Sequence, residues 1–286
     1  MEKLKGKRKQ VMTIGGIVAA IVIVIFGWYE WSHVSTDNAQ IQAHTLMLSS
    51  KVSGIVMEVL VNENDVVKEG QVLARIDSKD YNNSLRQTEA ELESAKVKFR
   101  DAETNYHRMS ELYKKSVVSR QQYDTAEATY RELNKRVVAI QAQVAQAQLN
   151  ASYTEIKAPS NGVIARKSVE PGMVIPVGQP LFGFVDSSER WVVANFKETE
   201  IAHIEKGKKV SIDVDALPGK DFHGEVESLS PSTGAVFSLL PPDNATGNFT
   251  KVVQRVPVKI KLLDLTPDDI MKLQAGLSAN VTVRVR

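Results

Sequence analysis

Two long stretches of the chain repeat apolar residues every seven positions. Residues 80–113 contain neither glycine nor proline, and residues 120–152 continue in the same style. Apolar positions at heptad spacing, with a second set offset by three, predict the seam of a coiled coil. The seam residues are Leu85, Leu92, Phe99, Tyr106 and Tyr113 with Thr88, Ala95, Ala102 and Met109 in the first stretch, and Tyr123, Tyr130, Val137, Val144 and Ala151 with Ala126, Leu133, Ile140 and Ala147 in the second.

The short joint between the two stretches determines their relative direction. Ser119, followed by Gln122 three residues later, predicts a capping box, so the second helix should begin near Arg120. Because only about five residues join the helices, the two must run antiparallel. Helices of about 33 residues each would form a hairpin roughly 50 Å long.

A short β-type motif occurs twice, once on each side of this hairpin. Residues 53–73 read SGIVMEVLVNENDVVKEGQVL and residues 161–181 read NGVIARKSVEPGMVIPVGQPL, so that Gly54 falls on Gly162. Short β-branched runs separated by tight-turn residues predict about four strands in each copy. One copy is too small to bury a core. The two copies are therefore expected to face each other in one sandwich that the hairpin interrupts.

Alternating apolar and polar positions return after residue 188. Runs such as RWVVANF, KKVSIDVDAL and LSANVTVRVR are separated by the turn signals EKGKK and LPGKD. Short strands at this spacing predict a small antiparallel barrel. Residues 37–48 also alternate and are expected to supply one more barrel strand. The segment NFKETEIAHI, residues 195–204, is expected to hold a short helix that plugs one end of the barrel.

The start of the chain has the pattern of a membrane anchor. Residues 1–9 are strongly basic, and residues 10–29 carry no charge. About twenty such residues span the hydrocarbon layer, and the basic cluster predicts a cytoplasmic N-terminus with the remainder exported. The alternative is a cleaved signal peptide, but the run ends in GWYEWSH, a poor cleavage site. The aromatic residues expected at the exported membrane interface are Trp28, Tyr29 and Trp31.

The repeated motif resembles the biotinyl/lipoyl carrier fold. In that family, a lysine on the turn between the two halves carries the cofactor. The nearest lysine here is Lys79 in IDSKDY, which falls where a helix should begin. A solvated lysine in the first helical turn is therefore the favoured interpretation, and we expect no cofactor.

These patterns predict a mixed α and β, elongated chain with nested domains. In chain order we expect a cytoplasmic basic tail (1–9), a transmembrane helix (10–31), a first barrel strand (37–48), half of a split lipoyl-like sandwich (49–77), an antiparallel coiled-coil α-helical hairpin (78–154), the second half of the sandwich (155–187) and a small antiparallel β-barrel (188–286).

The composition argues against several classes of function. A net charge of +2 over 286 residues lacks the basic stripe of a nucleic-acid binder. The absence of cysteine excludes disulfides, thiol nucleophiles and zinc–thiolate sites. The five histidines lack metal-ligand spacing, and no catalytic motif such as GxSxG or HExxH occurs. We therefore expect no catalytic residue and no metal, and a protein that is not an enzyme.

The order of anchor, split lipoyl domain, helical hairpin and barrel resembles the periplasmic adaptors, or membrane fusion proteins, of tripartite efflux systems. Around the hairpin turn, RMSELYKKSVVS places Arg108, Leu112 and Ser119 in the pattern R-x3-L-x6-S. Taken alone, these residues are a cation, a leucine and a hydroxyl at the end of a rod, which ordinary surface also shows. The resemblance implies that they dock on an outer-membrane channel of the TolC type.

The C-terminal part resembles the EmrA-type adaptors of the HlyD/EmrA-like family in WVVANFKETEI (191–201) and GAVFSLLPPDNATGNFTKVVQRVPVKI (234–260), as does DNAQIQ (37–42) near the start. The resemblance implies a major facilitator pump as partner, trimers or hexamers, and a bacterial inner-membrane location with the bulk in the periplasm. EmrA-type hairpins are commonly longer than this one. Within this stretch, one apolar run contains Phe237, Leu239 and Leu240. The run is expected either to dock on the pump or the lipid surface, or to fold over the mouth of the barrel.

Three functions are therefore compared. The first is an anchored adaptor that links a major facilitator drug pump to a TolC-like channel for multidrug efflux. The second is an adaptor of another exporter class, either ATP-driven or secreting peptides or proteins. The third is a carrier subunit with lipoate or biotin on Lys79.

Overall fold

A computed structural model of the chain describes residues 32–234 and 253–285. Within these residues, no helix combines the length and the apolar character needed to cross a membrane. The chain forms two compact units, one from Thr45 to Phe184 and the other from the segments on either side. The predicted tail and anchor lie outside the described residues, and so do Trp28, Tyr29, Trp31, Phe237, Leu239 and Leu240.

The secondary structure is numbered in chain order. The strands are β1 (His33–Gln42), β2 (Thr45–Ser49), β3 (Gly54–Val59), β4 (Val66–Val67), β5 (Val72–Ile76), β6 (Glu155–Lys157), β7 (Gly162–Lys167), β8 (Val174–Ile175), β9 (Pro180–Asp186), β10 (Trp191–Lys197), β11 (Lys209–Val214), β12 (Asp221–Leu229), β13 (Arg255–Leu262) and β14 (Ser278–Arg284). The α-helices are α1 (Lys79–Lys114), α2 (Arg120–Ser152) and α3 (Pro267–Lys272), and a 3-10 helix spans Ile201–His203.

Six strands form a closed antiparallel barrel in the order β1-β10-β13-β12-β11-β14. Alternate residues of each strand point inward, and Phe196, Ile212 and Ile260 are fully buried in the core. The predicted plug is confirmed: Ile204, directly after the 3-10 helix, is 3% exposed and belongs to the barrel core. The helix α3, which the sequence analysis did not predict, precedes Leu273, another fully buried core residue.

The prediction of a single barrel strand over residues 37–48 is wrong. The barrel strand β1 ends at Gln42, and Thr45–Ser49 form β2 in a different sheet, beside β9. Between them, the carbonyl of His44 accepts a hydrogen bond from the backbone N–H of Asp186 (2.9 Å). A period of two determines which side chains share a face of a strand, but it does not determine which sheet the strand joins. The alternation therefore continues across the change of sheet.

The two copies of the repeat form one sandwich, as predicted. Its four-stranded sheets have the orders β2-β9-β7-β4 and β6-β5-β3-β8. Gly54 pairs with Ile175 and Gly162 pairs with Val67, so the same offset that relates the two sequences also relates the two pairings. Each copy thus places a strand in the sheet of the other, and neither copy completes a sheet alone. The fully buried side chains of this core include Leu73, Ile164, Leu181, Phe182 and Ile175.

The insertion between the two copies is a pair of helices, α1 and α2, joined by a five-residue turn at residues 115–119. Its buried residues all lie on the predicted heptad seam. The capping box is also confirmed: the Ser119 hydroxyl accepts from the backbone N–H of Gln122 (3.3 Å), and the Gln122 side chain accepts from the backbone N–H of Ser119 (3.0 Å). The buried seam residues are Ala95, Ala102, Ala126, Ile140 and Ala147.

Candidate docking site at the hairpin tip

The turn between α1 and α2 is closed by backbone hydrogen bonds. The N–H of Ser116 donates to the carbonyl of Tyr113 (2.8 Å), and the N–H of Val117 donates to the carbonyl of Leu112 (2.9 Å). Ser116 adopts φ 57°, a left-handed conformation that ends a helix and that few residues other than glycine adopt. The backbone of Leu112 is therefore tied to the turn rather than only to its helix.

The three residues predicted at this tip have different environments. Arg108 and Leu112 are four residues apart on α1 and so lie on one face of the helix; Arg108 is exposed and Leu112 is partly buried. Ser119 is exposed, but its hydroxyl already caps α2. The structure thus leaves the Arg108 guanidinium and the Leu112 side chain available to a partner. Ser119, in contrast, has a structural role as the N-cap of α2, and that role does not depend on a partner protein.

A fourth tip residue, Val117, was not singled out from the sequence. It lies between Leu112 and Ser119 in the turn, and 66% of it is exposed, so packing within the hairpin does not bury it. Tyr113 at the end of α1 is 40% exposed. The available signal was the pair Val117–Val118 inside an otherwise polar turn. The apolar surface of the tip therefore centres on the turn and extends to Leu112.

The charges at the tip are mostly positive. Lys114 donates to the carboxylate of Glu111 (2.8 Å), which lowers the pKa of Glu111 and raises the pKa of Lys114. Arg120 pairs more loosely with Asp124 (3.6 Å). In the part of the chain that the structure describes, neither Arg108 nor Lys115 forms an ion pair, although the charge of Lys115 also helps to lower the pKa of Glu111. A partner with an acidic rim around an apolar pocket would complement this surface.

Directly behind the tip, aromatic rings from the two helices alternate in a continuous stack. Ring centroids lie 5.2 Å apart for Tyr113 and Tyr123, 5.9 Å for Tyr123 and Tyr106, 5.0 Å for Tyr106 and Tyr130, and 5.4 Å for Tyr130 and Phe99. The phenol oxygens of Tyr106 and Tyr123 are 3.4 Å apart, and this hydrogen bond is the main reason that the pKa of Tyr123 rises to about 12. Stacked rings at this spacing attract each other beyond their burial. The stack holds the two helices together where the turn needs support.

The comparisons with known proteins agree with this architecture. The family model described as RND MFP, barrel-sandwich hybrid domain, matches residues 44–187, and the CusB-like beta-barrel domain matches residues 190–236. The multidrug export protein EmrA of Escherichia coli K12 is 33% identical over 92% of this chain and 80% of its own length. This chain belongs to the EmrA-like membrane fusion proteins.

Two further proteins support the placement of this membrane fusion protein. The colistin resistance protein EmrA of Acinetobacter baumannii is 30% identical over 94% of this chain and 91% of its own length. The membrane fusion protein Spr0693 of Streptococcus pneumoniae has the same fold, with a TM-score of 0.64 at 16% identity over 89% of this chain and 99% of that chain. The alignments with the two EmrA proteins extend over 326 and 313 positions, although this chain has 286 residues. Each EmrA protein therefore contains residues without a counterpart here.

The structure gives no support to a carrier role for Lys79. It is the first residue of α1, and its backbone N–H donates to the carboxylate of Asp77 (3.0 Å). The hairpin occupies the place of the turn on which a carrier would present its lysine. Within residues 32–234 and 253–285, no cluster of histidine and acidic side chains could hold a metal ion.

Proposed function

We propose that this membrane fusion protein is the periplasmic adaptor of a multidrug efflux system, anchored in the inner membrane of a bacterium by residues 10–31. It would link a major facilitator pump in that membrane to a TolC-like channel in the outer membrane. The observation that carries the proposal is the hairpin tip, which presents the exposed Arg108 and Val117 and the partly buried Leu112 on a two-helix support. A surface of this kind fits the docking of another protein better than it fits chemistry.

The relatives support the multidrug part of the proposal. Proteins named for multidrug export and for colistin resistance match more than nine-tenths of this chain. An adaptor needs no catalytic residue, because the pump supplies the energy and the adaptor supplies interfaces. The expected assembly is a homo-oligomer, a trimer or a hexamer, whose copies lie side by side.

The choice of a major facilitator pump rests on the similarity to EmrA-type sequences in the barrel region. In the sequence, Phe237, Leu239 and Leu240 lie between β12 and β13, and the end of β12 and the start of β13 are on the same barrel rim as the start of β1. Since β1 directly follows the proposed anchor, we propose these three residues as contacts with the pump or the lipid surface. Trp28, Tyr29 and Trp31 would mark the outer boundary of the anchor.

A second candidate is an adaptor for another exporter class. The observation that favours it is the length of the hairpin, because α1 and α2 have 36 and 33 residues and the EmrA-type hairpins that the sequence resembles are commonly longer. A shorter rod reaches a partner at a different distance. Identifying the transporter that co-purifies with the full chain from membranes distinguishes the two candidates.

The tip is tested by replacing Leu112 with aspartate. A charge in an apolar contact costs several kcal/mol of binding when it is buried without a partner. We expect Leu112→Asp to abolish drug resistance in cells that also express the cognate pump and channel, while the protein remains folded and anchored. The matched control is Leu149→Asp, because Leu149 lies on the same hairpin and is 43% exposed.

Photo-crosslinking from residue 112 in intact cells gives an independent reading. A crosslink to an outer-membrane channel supports the docking site. Unchanged resistance in Leu112→Asp, or an equal loss in Leu149→Asp, contradicts it.

A further inference from the structure

The two rims of the barrel carry opposite charge. All neighbouring strands are antiparallel, so the connections alternate between the rims. At one rim, which we name the basic rim, His33 at the start of β1 lies opposite Arg284 at the end of β14, and Lys197 lies opposite Arg255. The cations of the basic rim are Lys197, Lys206, Lys208, Lys209, Arg255 and Arg284.

The acidic rim is the other end of the barrel. It contains the turn from β11 to β12 and the connection from β13 to β14, which includes α3. Its aspartates are Asp213, Asp215, Asp221, Asp264, Asp268 and Asp269. Lysines neutralise only part of this charge, since Lys220 pairs with Asp269 and Lys272 pairs with Asp268.

The basic rim contains carboxylates that could form ion pairs with its lysines, but most of them do not pair with a described residue. It contains the carboxylates of Glu198, Glu200 and Glu205, and Glu225 of β12 lies opposite Lys209 of β11. Among Glu198, Glu200 and Glu205, only Glu200 forms an ion pair with a described residue, Lys197 (3.3 Å). Lys206 and Lys209 are exposed, and no side-chain hydrogen bond or ion pair of theirs occurs among residues 32–234 and 253–285.

Two other cations of the basic rim make backbone contacts. Arg255 makes one long hydrogen bond, to the carbonyl of Asn195 (3.5 Å), and its other guanidinium donors bond no described residue. Lys208 differs, because its ammonium donates to the carbonyl of Val285 (2.9 Å) and so closes the end of β14.

The connectivity of the chain places the basic rim next to the proposed membrane anchor. The uncharged run ends at residue 29, and β1 begins at His33. A chain advances at most about 3.5 Å per residue, so the rim begins within roughly 15 Å of the end of that run. Lipid headgroups occupy the layer of roughly 5–8 Å outside the hydrocarbon core. The acidic rim is at the far end of the barrel from this point.

We propose that the basic rim binds the anionic phosphate headgroups of the membrane that holds the anchor, mainly through Lys206, Lys209 and Arg255. The proposal rests on the membrane anchor of the proposed function. A cationic surface within a Debye length of anionic lipids is attracted to them, and the acidic rim is repelled. The barrel would therefore stand on the membrane with one rim down, rather than turn freely on its anchor.

The absence of cysteine allows a clean test with single labels on the full chain. Ala202 on the basic rim and Ala216 on the acidic rim are both exposed alanines in rim connections. Ala202→Cys and Ala216→Cys are labelled with a fluorophore and reconstituted in nanodiscs of phosphatidylcholine, or of phosphatidylcholine with phosphatidylglycerol. A nitroxide on the lipid headgroup quenches a fluorophore that lies at the surface. We expect quenching at residue 202 only in the anionic discs, with weak quenching at residue 216 in both.

The charge contribution is tested with Lys206→Gln and Lys209→Gln combined in the Ala202→Cys protein. Each lysine near an anionic surface changes the ratio of docked to undocked barrel by roughly five-fold at low salt, so the double variant should lower it by roughly twenty-five-fold. The control combines Lys68→Gln with Lys98→Gln, exposed lysines of the other compact unit, and should leave the ratio unchanged.

Several outcomes would overturn the proposal. Equal quenching in neutral and anionic discs would mean that the anchor alone holds the rim near the surface. Equal quenching at residues 202 and 216 would mean that the barrel has no preferred orientation. Loss of quenching in the control variant would mean that total charge, rather than this rim, is responsible. Protein that fails to co-elute with either disc would refute the anchor, and this proposal with it, whereas co-elution without a lipid-dependent change refutes the rim alone.

Discussion

In the sandwich, strands from both copies of the repeat share each sheet, and the core contains large side chains such as Phe182 and Leu73 that are fully buried. In the hairpin, α1 packs along α2, and the buried residues are alanines and one isoleucine. The sandwich depends on contacts between residues far apart in the chain. The hairpin depends on a narrow seam and keeps most of its surface exposed. A surface that packing does not use is available for partners, so the two regions divide stability and recognition between them.

The largest effect should come from the sandwich core. Phe182→Ala removes a fully buried ring, and we expect a loss of about 3–5 kcal/mol in the free energy of unfolding of the sandwich. Hydrogen–deuterium exchange of β3, β5 and β9 measures it. In Leu149→Ala, which truncates an exposed leucine of the hairpin, the change should stay within about 0.5 kcal/mol. Similar losses in both variants would show that the two regions do not differ as described.

A helix-breaking substitution should damage the hairpin and spare the sandwich. Val137 lies on the seam near the middle of α2, and Val137→Pro removes a helical hydrogen bond at a cost of about 3 kcal/mol or more. We expect loss of exchange protection in α2 and in the facing part of α1, with unchanged protection in β5 and β9. Val137→Ala keeps the helix and serves as the control. Full helicity in the proline variant would mean that the seam of α2 is misplaced.

Local and symmetric features could be predicted from the sequence because their signals lie in neighbouring or repeated residues. The heptad seam is a periodic pattern within each helix, the Ser119 capping box joins residues three apart, and Gly54 and Gly162 occur in matching motifs. The division between β1 and β2 could not be predicted, because alternation contains no information about sheet membership. The helix α3 had a readable signal in Thr266 and Pro267, with Asp269 completing a capping box, and it was missed because six residues are too few for a periodic pattern.

The tip residues show where prediction from the sequence ends. Ser119 could be assigned a cap from local spacing, but the same residue is also part of the docking pattern implied by the resemblance. The exposure of Val117 could not be predicted from the sequence, because it depends on the path of the turn rather than on the neighbouring residues. A residue that packing does not explain becomes visible only when its surroundings are known.

Two substitutions at Ser119 separate its cap from docking. Ser119→Ala removes the cap at a cost of about 1 kcal/mol to α2, whereas Ser119→Asp retains it. If Ser119 acts only as a cap, Ser119→Asp should keep both exchange protection at the start of α2 and drug resistance, and Ser119→Ala should weaken both modestly. Lost resistance in Ser119→Asp with an intact helix would show that the hydroxyl itself contacts the partner.

The smallest expected effect concerns the aromatic stack. Tyr106→Phe keeps the ring but removes the hydrogen bond to the Tyr123 phenol, so the pKa of Tyr123 should move from about 12 towards its ordinary value of 10.0. Because folding raises this pKa, its contribution to stability is present below pH 10 and is lost as the pH rises towards 12. Absorbance titration of the phenolate measures the shift, with Tyr81→Phe as the control, because Tyr81 bonds the carbonyl of Ser53 away from the stack. Each variant lacks one phenol. If both titration curves differ from that of the unmodified protein only by the loss of one tyrosine with an ordinary pKa, the phenols of Tyr106 and Tyr123 are not coupled. The stack would then support the tip by ring packing alone.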